Sequence, residues 1–221
     1  MTKCKVTIVD DEKLFVSGMR MLIDQEDDME VVFTGHNGKE LLDQLANDDF
    51  TTDTILLDLS MPVLDGVDTL KQINELNYDV KIIILSSHYN DNIILKMLDE
   101  GASGFLGKNE NPAQVITTIR QVCQNGFCIN DYILQLIRER RLISKNKQQP
   151  EVLSDREIEV VQYLCNEFTT KEIANELYLS PRTVEGHRNR ILEKTGCKNI
   201  AGVVVYAIEH NLYQVNVSKY G

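Results

Sequence analysis

A chain of 221 residues that is 43% hydrophobic and 26% charged can fill one large core or two ordinary domains, which excludes a disordered or collagen-like protein. No window approaches the ~20 consecutive apolar residues of a membrane span, and the start MTKCKVTIVDD runs from a short apolar stretch into acid, so the expectation is no signal peptide, no membrane partner and a cytoplasmic location. The formal net charge of −11 argues against nucleic acid only as an average, because residues 1–129 hold 10 Lys+Arg against 22 Asp+Glu while 180–198 holds Arg182, Arg188, Arg190, Lys194 and Lys198 against Glu185 and Glu193, enough for a basic face.

Up to about residue 128, short apolar runs alternate with helical periods. The runs are 6–9, 30–34, 54–57, 81–85 and 104–106, β-branched or aromatic-rich as buried strands require. Between them lie apolar stripes at i, i+3, i+4: Leu14, Met19, Leu22 and Ile23; Leu41, Leu42 and Leu45; Leu70, Ile73 and Leu76; Ile94, Met97 and Leu98; Val115, Ile116, Ile119 and Val122. The alternation predicts an α/β, doubly wound, five-stranded parallel sheet of the flavodoxin-like kind, covered on both faces.

Residues 129–150 begin as a short amphipathic helix and end in a polar stretch closed by Pro150, which reads as a linker helix and connector. Beyond it, over 151–221, only helical patterns occur, so a small all-α domain is expected. Ser154/Glu157 and Thr169/Glu172 have the spacing of capping boxes, Ser180-Pro181 is a cap followed by proline at the first helical position, and Asn199 can cap a last helix carrying Val203, Val204, Ala207 and Ile208. Cys4, Cys123, Cys128, Cys165 and Cys197 form no CxxC pair and no even set; they read as small core residues of a reducing compartment rather than as disulfide or metal ligands.

The polar residues of the front half fall where a doubly wound sheet binds ligands. Asp10 and Asp11 follow the first strand, Asp58 the third, Ser86 the fourth and Lys108 the fifth, all at carboxyl ends. Three carboxylates in one cleft need a cation, and all-oxygen ligation suits Mg²⁺. A hydroxyl and an ammonium at the rim suit a phosphoryl group, so the site reads as one of phosphoryl transfer with an aspartate as acceptor.

The runs Ile8-Val9-Asp10-Asp11-Glu12, LDLSMPVLDG over 57–66, Leu85-Ser86 and GASGFLGK over 101–108 resemble the successive signatures of response-regulator receiver domains. That resemblance implies Asp58 as phosphoacceptor, Asp11 as a direct Mg²⁺ ligand, Asp10 as a ligand through water and Ser60 as a ligand through its backbone carbonyl. Ser86 and Lys108 would hold the phosphoryl oxygens, Ser86 and Phe105 would form the switch, and a sensor histidine kinase would be the donor. Phe105 stands where many receivers have tyrosine, and Asn109 where a proline often follows the lysine. His88, two residues beyond Ser86, is either a solvated loop residue or one that touches the water attacking phosphoaspartate.

The stretch from Leu153 to Lys194, with Lys171-Glu172-Ile173-Ala174 and Thr183-Val184 before His187, resembles the LuxR-type helix-turn-helix; with the receiver it makes the chain similar to response regulators of the NarL/FixJ subfamily. Helical phase puts Val184, Ile191, Thr195, Arg188 and His187 toward a core, Arg182, Gly186, Asn189 and Glu193 opposite them, and Glu185 and Arg190 on the flanks. The expected DNA-contacting set is Arg182, Glu185, Gly186, His187, Asn189, Arg190 and Lys194, on double-stranded promoter DNA, with the chain a homodimer when phosphorylated. Glu167 replaces a usual glycine before the scaffold helix, and Ile200 replaces an arginine that often follows the last cap. The reading is therefore a phosphorylation-controlled transcription regulator that catalyses only its own phosphoryl transfer and dephosphorylation. The alternative is a Mg²⁺-dependent phosphohydrolase with an aspartyl-phosphate intermediate; such enzymes typically place a second Asp two residues after the nucleophile, and here that position is Ser60.

Overall fold

The computed structural model of the chain describes residues 3–76, 78–87, 91–143 and 153–213. His88 lies outside the described residues, so its role is not addressed by the structure. The chain divides into two compact units, Met1–Cys128 and Ile129–Gly221.

The first unit alternates β1 (Cys4–Val9), α1 (Lys13–Ile23), β2 (Met29–Gly35), α2 (Gly38–Leu45), β3 (Thr54–Asp58), α3 (Gly66–Glu75), β4 (Lys81–Ser86), α4 (Asp91–Asp99), β5 (Gly104–Gly107) and α5 (Pro112–Asn125). The strands form one parallel sheet in the order β2-β1-β3-β4-β5. β3 is buried along its whole length, as an apolar run covered on both faces must be. Val6, Ile8, Leu56, Ile83, Leu85 and Leu106 of the sheet pack with Val16, Met19 and Ile23 of α1 and with Val115, Ile116, Ile119 and Val122 of α5. Two residues of the expected stripes point away: Leu14 is 87% and Leu76 59% exposed. The buried side of α1 is set by Val16, Met19 and Ile23, on roughly the opposite side of the helix from Leu14, and Leu76 is the C-cap of α3, past its last helical turn.

The cysteine expectation is corrected at the opposite end of the sheet. Cys4 and Cys123 are joined as a disulfide between β1 and α5, while Cys128, Cys165 and Cys197 keep their thiols. Sequence spacing carried no sign of this, because the two lie 119 residues apart and only the packing of α5 across β1 brings them together.

The second unit contains α6 (Asp131–Ile143), α7 (Asp155–Cys165), α8 (Thr170–Glu176), α9 (Pro181–Thr195) and α10 (Ile200–Glu209). Both capping boxes form, Ser154 with Glu157 and Thr169 with Glu172, and Ser180 and Asn199 cap α9 and α10 through the backbone N–H groups of Thr183 and Gly202. Glu167 adopts φ 62°, the left-handed region in which glycine carries no steric cost. The substitution noticed in the sequence thus falls at a position whose backbone favours glycine.

α6 does not stand apart as a connector. It packs on α10, burying Ile133, Leu136 and Ile137, and Arg140 Nη2 reaches Glu209 Oε1 at 2.6 Å. Val203, Val204, Ala207 and Ile208 of α10 are all 3% exposed or less. In this structure they are core rather than an apolar stripe available for a two-fold contact between copies.

Candidate functional site

The carboxyl ends of β1, β3 and β5 bring the acidic cleft together. Asp10 directly follows β1 and is fully buried; Asp58 ends β3 at 3% exposure. Asp11 stands exposed at the rim. Each of the three offers a carboxylate oxygen within 4.8 Å of the others'. Lys108 follows β5 and points its Nζ into this group, 2.8 Å from Asp10 Oδ2 and 3.1 Å from Asp58 Oδ1. Glu12 supplies a third oxygen at 2.7 Å, and the Phe15 ring lies 5.2 Å from the same nitrogen. Neither Glu12 nor Phe15 was singled out from the sequence; the only signal was a third acid after the Asp10–Asp11 pair.

The protonation state follows from these contacts. Burial raises the Asp10 carboxyl above its usual range, and the nearby Asp58 charge adds to this, partly offset by Lys108 and the Glu12 N–H. For Lys108 burial works against the charged form, but close contacts with the Asp10, Glu12 and Asp58 carboxylates outweigh it and hold the ammonium well above its ordinary value. One cation among four carboxylates leaves excess negative charge. Asp10 Oδ2 is buried and meets Lys108 as an ion pair without a well-aligned hydrogen bond. A hard divalent cation fits this donor set, since carboxylate oxygens at low dielectric gain most from a second positive charge.

The loop after β3 holds Asp58 in place. The Ser60 N–H donates to Asp58 Oδ2 at 2.9 Å, Gly66 N–H to Leu59 O at 3.1 Å, and Gly38 N–H to Leu64 O at 3.0 Å. Leu64 N–H donates to Pro62 O at 2.8 Å around Val63, whose φ is 68°: a γ-turn of the rarer, positive-φ kind on a β-branched residue, a strained element of the type that gathers at functional sites. Gly66 is required sterically, because a Cβ there would lie 2.2 Å from the Asp58 carbonyl oxygen. Ser86 ends β4 half-exposed, with the Lys108 N–H donating to its carbonyl at 2.8 Å. Phe105 in β5 is turned inward, 5% exposed.

In the second unit, Arg182, Asn189 and Arg190 of α9 are exposed as expected, and Gly186 is half-exposed. A Cβ at Gly186 would meet only the Arg190 guanidinium, at 3.7 Å, so nothing within the fold demands glycine there. Three other residues of the expected set are engaged inside the domain. Lys194 turns inward and its Nζ lies 2.7 Å from Glu157 Oε2, a carboxylate 3% exposed on α7. Glu185 Oε1 accepts from the Thr170 hydroxyl at 2.7 Å and from Arg188 at 3.0 Å, and Arg188 also bonds Thr170, which ties α9 to the start of α8. The His187 ring is half-buried, and its Nδ1 has no hydrogen-bond partner among the described residues; burial first, then Arg190 and Arg156, hold it below the ordinary histidine value and favour the neutral form. Counting the basic residues of 180–198 puts Lys194 in the DNA-contacting set because such a count says nothing of a buried acid on a neighbouring helix. Among the described residues no helix is long and apolar enough to cross a membrane.

Comparison with known proteins agrees with both halves. Residues 6–120 match the response regulator receiver domain, and residues 151–207 match the luxR family of bacterial regulatory proteins. The chain is 31% identical to the nitrate/nitrite response regulator protein homolog of Haemophilus influenzae, over 95% of this chain and 98% of that one. It is 29% identical to the transcriptional regulatory protein DegU of Brevibacillus brevis, over 96% of each. Among solved structures it resembles a LuxR-family two-component response regulator from Aurantimonas sp. SI85-9A1 (25% identity, TM-score 0.56, 64% of this chain and 99% of that one). A likeness of fold alone extends to RcsB in complex with DNA (22% identity, TM-score 0.57, 94% and 99%).

Proposed function

Because the chain belongs to the response regulators that join a receiver domain to a LuxR-type DNA-binding domain, we propose that Asp58 accepts a phosphoryl group from a sensor histidine kinase in the cytoplasm. In this reading residues 1–128 are the receiver, 129–150 join the halves and 151–221 bind promoter DNA, as a homodimer once the receiver is phosphorylated.

The observation that carries the proposal is the cleft itself: Asp58, nearly buried, with Asp10 and Asp11 within 4.8 Å and the Lys108 ammonium 3.1 Å from its carboxylate. Asp10, Asp11, Asp58 and the Ser60 carbonyl would hold Mg²⁺, which when bound screens the carboxylates against the incoming phosphoryl group. An Asp58 oxygen attacks phosphorus in line as the bond to the donor imidazole nitrogen breaks; no proton has to leave a carboxylate for this. Lys108, held charged by its three acidic partners, turns from them to a phosphoryl oxygen, and the Ser86 hydroxyl donates to another. Withdrawal of Ser86 toward the phosphoryl group opens room beside β5 into which Phe105 repacks, and this carries the signal. The chain catalyses its own phosphoryl transfer and hydrolysis only; with Ser60 where a phosphohydrolase typically places its acid, turnover on outside substrates has no proton donor.

On the DNA side, the exposed Arg182, Asn189 and Arg190 make the direct contacts, with Gly186 allowing close approach to base edges. Glu185 reads a base only through the oxygen that Thr170 and Arg188 leave it.

Treatment of the full-length protein with phosphoramidate and Mg²⁺, followed by intact-mass measurement, tests the acceptor. Wild type should gain the mass of one phosphoryl group and Asp58→Ala none. Equal labelling of the variant would remove Asp58 from the proposal.

A further inference from the structure

Cys4 opens β1 and Cys123 lies in the last turn of α5, at the end of the sheet away from the carboxylates. Their Cα atoms are 6.4 Å apart and their sulfurs are bonded, a separation at which two cysteines bridge without backbone movement. Both are half-buried, neither sealed from a small reagent nor free in solvent. Thr54, the fully buried first residue of β3, brings its hydroxyl to 3.4 Å from Cys123 Sγ and 4.0 Å from Cys4 Sγ. A disulfide sulfur carries no hydrogen, so the hydroxyl is the donor, and it favours Cys123. The third cysteine of this unit, Cys128, instead pairs with Gln121 Oε1 at 2.8 Å.

We propose that Cys4 and Cys123 form a reversible disulfide, opened and closed by a small-molecule thiol–disulfide couple. On opening, the thiolate of a small thiol attacks Cys4 Sγ; the Cys4–Cys123 bond breaks, and its electron pair leaves on Cys123, where the Thr54 O–H stabilises the thiolate. A second small thiolate attacks the small-molecule sulfur of the mixed disulfide and releases Cys4. The two protons given up by the small thiols end on the two cysteines, and the small molecule leaves as its own disulfide; closing is the reverse. A donor hydroxyl closer to one sulfur than to the other gives the exchange a direction, since the better-stabilised thiolate is the better leaving group.

The link has a consequence for the molecule. It closes a loop of 119 residues, the long-loop case in which a cross-link most restricts the unfolded chain. It also fixes the last turn of α5 just before Gly126, whose φ of 86° ends the helix, and Cys128, the last residue of the first unit. Oxidation therefore stiffens the segment by which the receiver hands the chain to the DNA-binding half.

Full-length protein is reduced, exposed to oxidised glutathione, alkylated and mapped by peptide mass. The expected result is a Cys4–Cys123 cross-link, an oxidised form whose melting temperature is higher by about 10 °C, and slower amide exchange over 121–128. Dithiothreitol should reverse all three without denaturant. Cys4→Ser and Cys123→Ser should lose the shift while Cys128→Ser keeps it, and Thr54→Val should slow reduction several-fold. The proposal is overturned if both thiols remain alkylated after oxidation, if Cys128 takes the place of either partner, or if the bond opens only in denaturant; an unchanged reduction rate in Thr54→Val would remove the hydroxyl from it. The wild-type map decides the first of these even if a serine variant does not fold.

Discussion

Glu157 shows how one side chain couples a helix cap to a domain core. Burial alone would raise its carboxyl, but the Lys194 ammonium and the N–H and hydroxyl of Ser154 overcome this and hold it at about 2, against 4.5 for a free glutamate. A depressed folded value means the charged form is favoured by folding. The contribution is fully present above the unfolded value and lost as pH falls from about 4.5 toward 2; it amounts to roughly 3 kcal/mol at most. Amide exchange in α7 and α9 should accelerate across that window in wild type, and Glu157→Gln should flatten the dependence. An identical acid profile in the variant would show that the pair with Lys194 is not what holds these helices together. Gly66 makes the corresponding case in the first unit. An added Cβ would meet backbone at both Asp58 and Leu59, which no rotamer change can relieve, so Gly66→Ala should destabilise the receiver by about 2 to 3 kcal/mol and lower phosphodonor labelling, measured by urea melts and intact mass. Labelling and stability equal to wild type would mean that the loop is looser than its hydrogen bonds imply.

The sequence disclosed its elements unevenly. The five strands and the polar residues at their carboxyl ends were legible because a fully buried parallel strand must be apolar and its end must carry the site chemistry. The caps at Ser154, Thr169, Ser180 and Asn199 were equally legible, since the side chain and the N–H it accepts from lie within one turn. α6 was visible as an amphipathic helix, but periodicity identifies an apolar face without saying what covers it. Its partner proved to be α10, 57 or more residues along the chain from the end of α6. The packing changes one expectation directly. A fragment starting near residue 150 would strip Ile133, Leu136 and Ile137 from α10 and expose Val203, Val204, Ala207 and Ile208, so it should self-associate, whereas a fragment starting at 129 should remain monomeric; sedimentation velocity distinguishes them. Ile137→Ala in the full chain should cost the second unit about 2 to 4 kcal/mol. A monomeric 150–221 fragment as stable as 129–221 would contradict the role given to α6.

At the scale of the whole molecule, charge is divided between the halves: the acid gathers in residues 1–129 and the basic residues 182–198 lie on and just after α9. That division was readable from composition, and helical phase placed Arg182, Asn189 and Arg190, all exposed, away from the core. What composition could not supply was the set of internal commitments that removes Lys194 and half of Glu185 from that surface, because an ion pair across helices depends on packing rather than on order in the chain. The central claim is that chemistry at Asp58 governs binding by α9. Its most direct test is a titration of full-length protein against DNA that the protein itself selects from a random pool, at fixed salt, with and without phosphoramidate and Mg²⁺. The account predicts that treatment tightens binding of wild type about tenfold or more, a coupling of roughly 1.4 kcal/mol or above, and leaves Asp58→Ala unchanged; equal affinity of treated and untreated wild type, or the same tightening in Asp58→Ala, would contradict it.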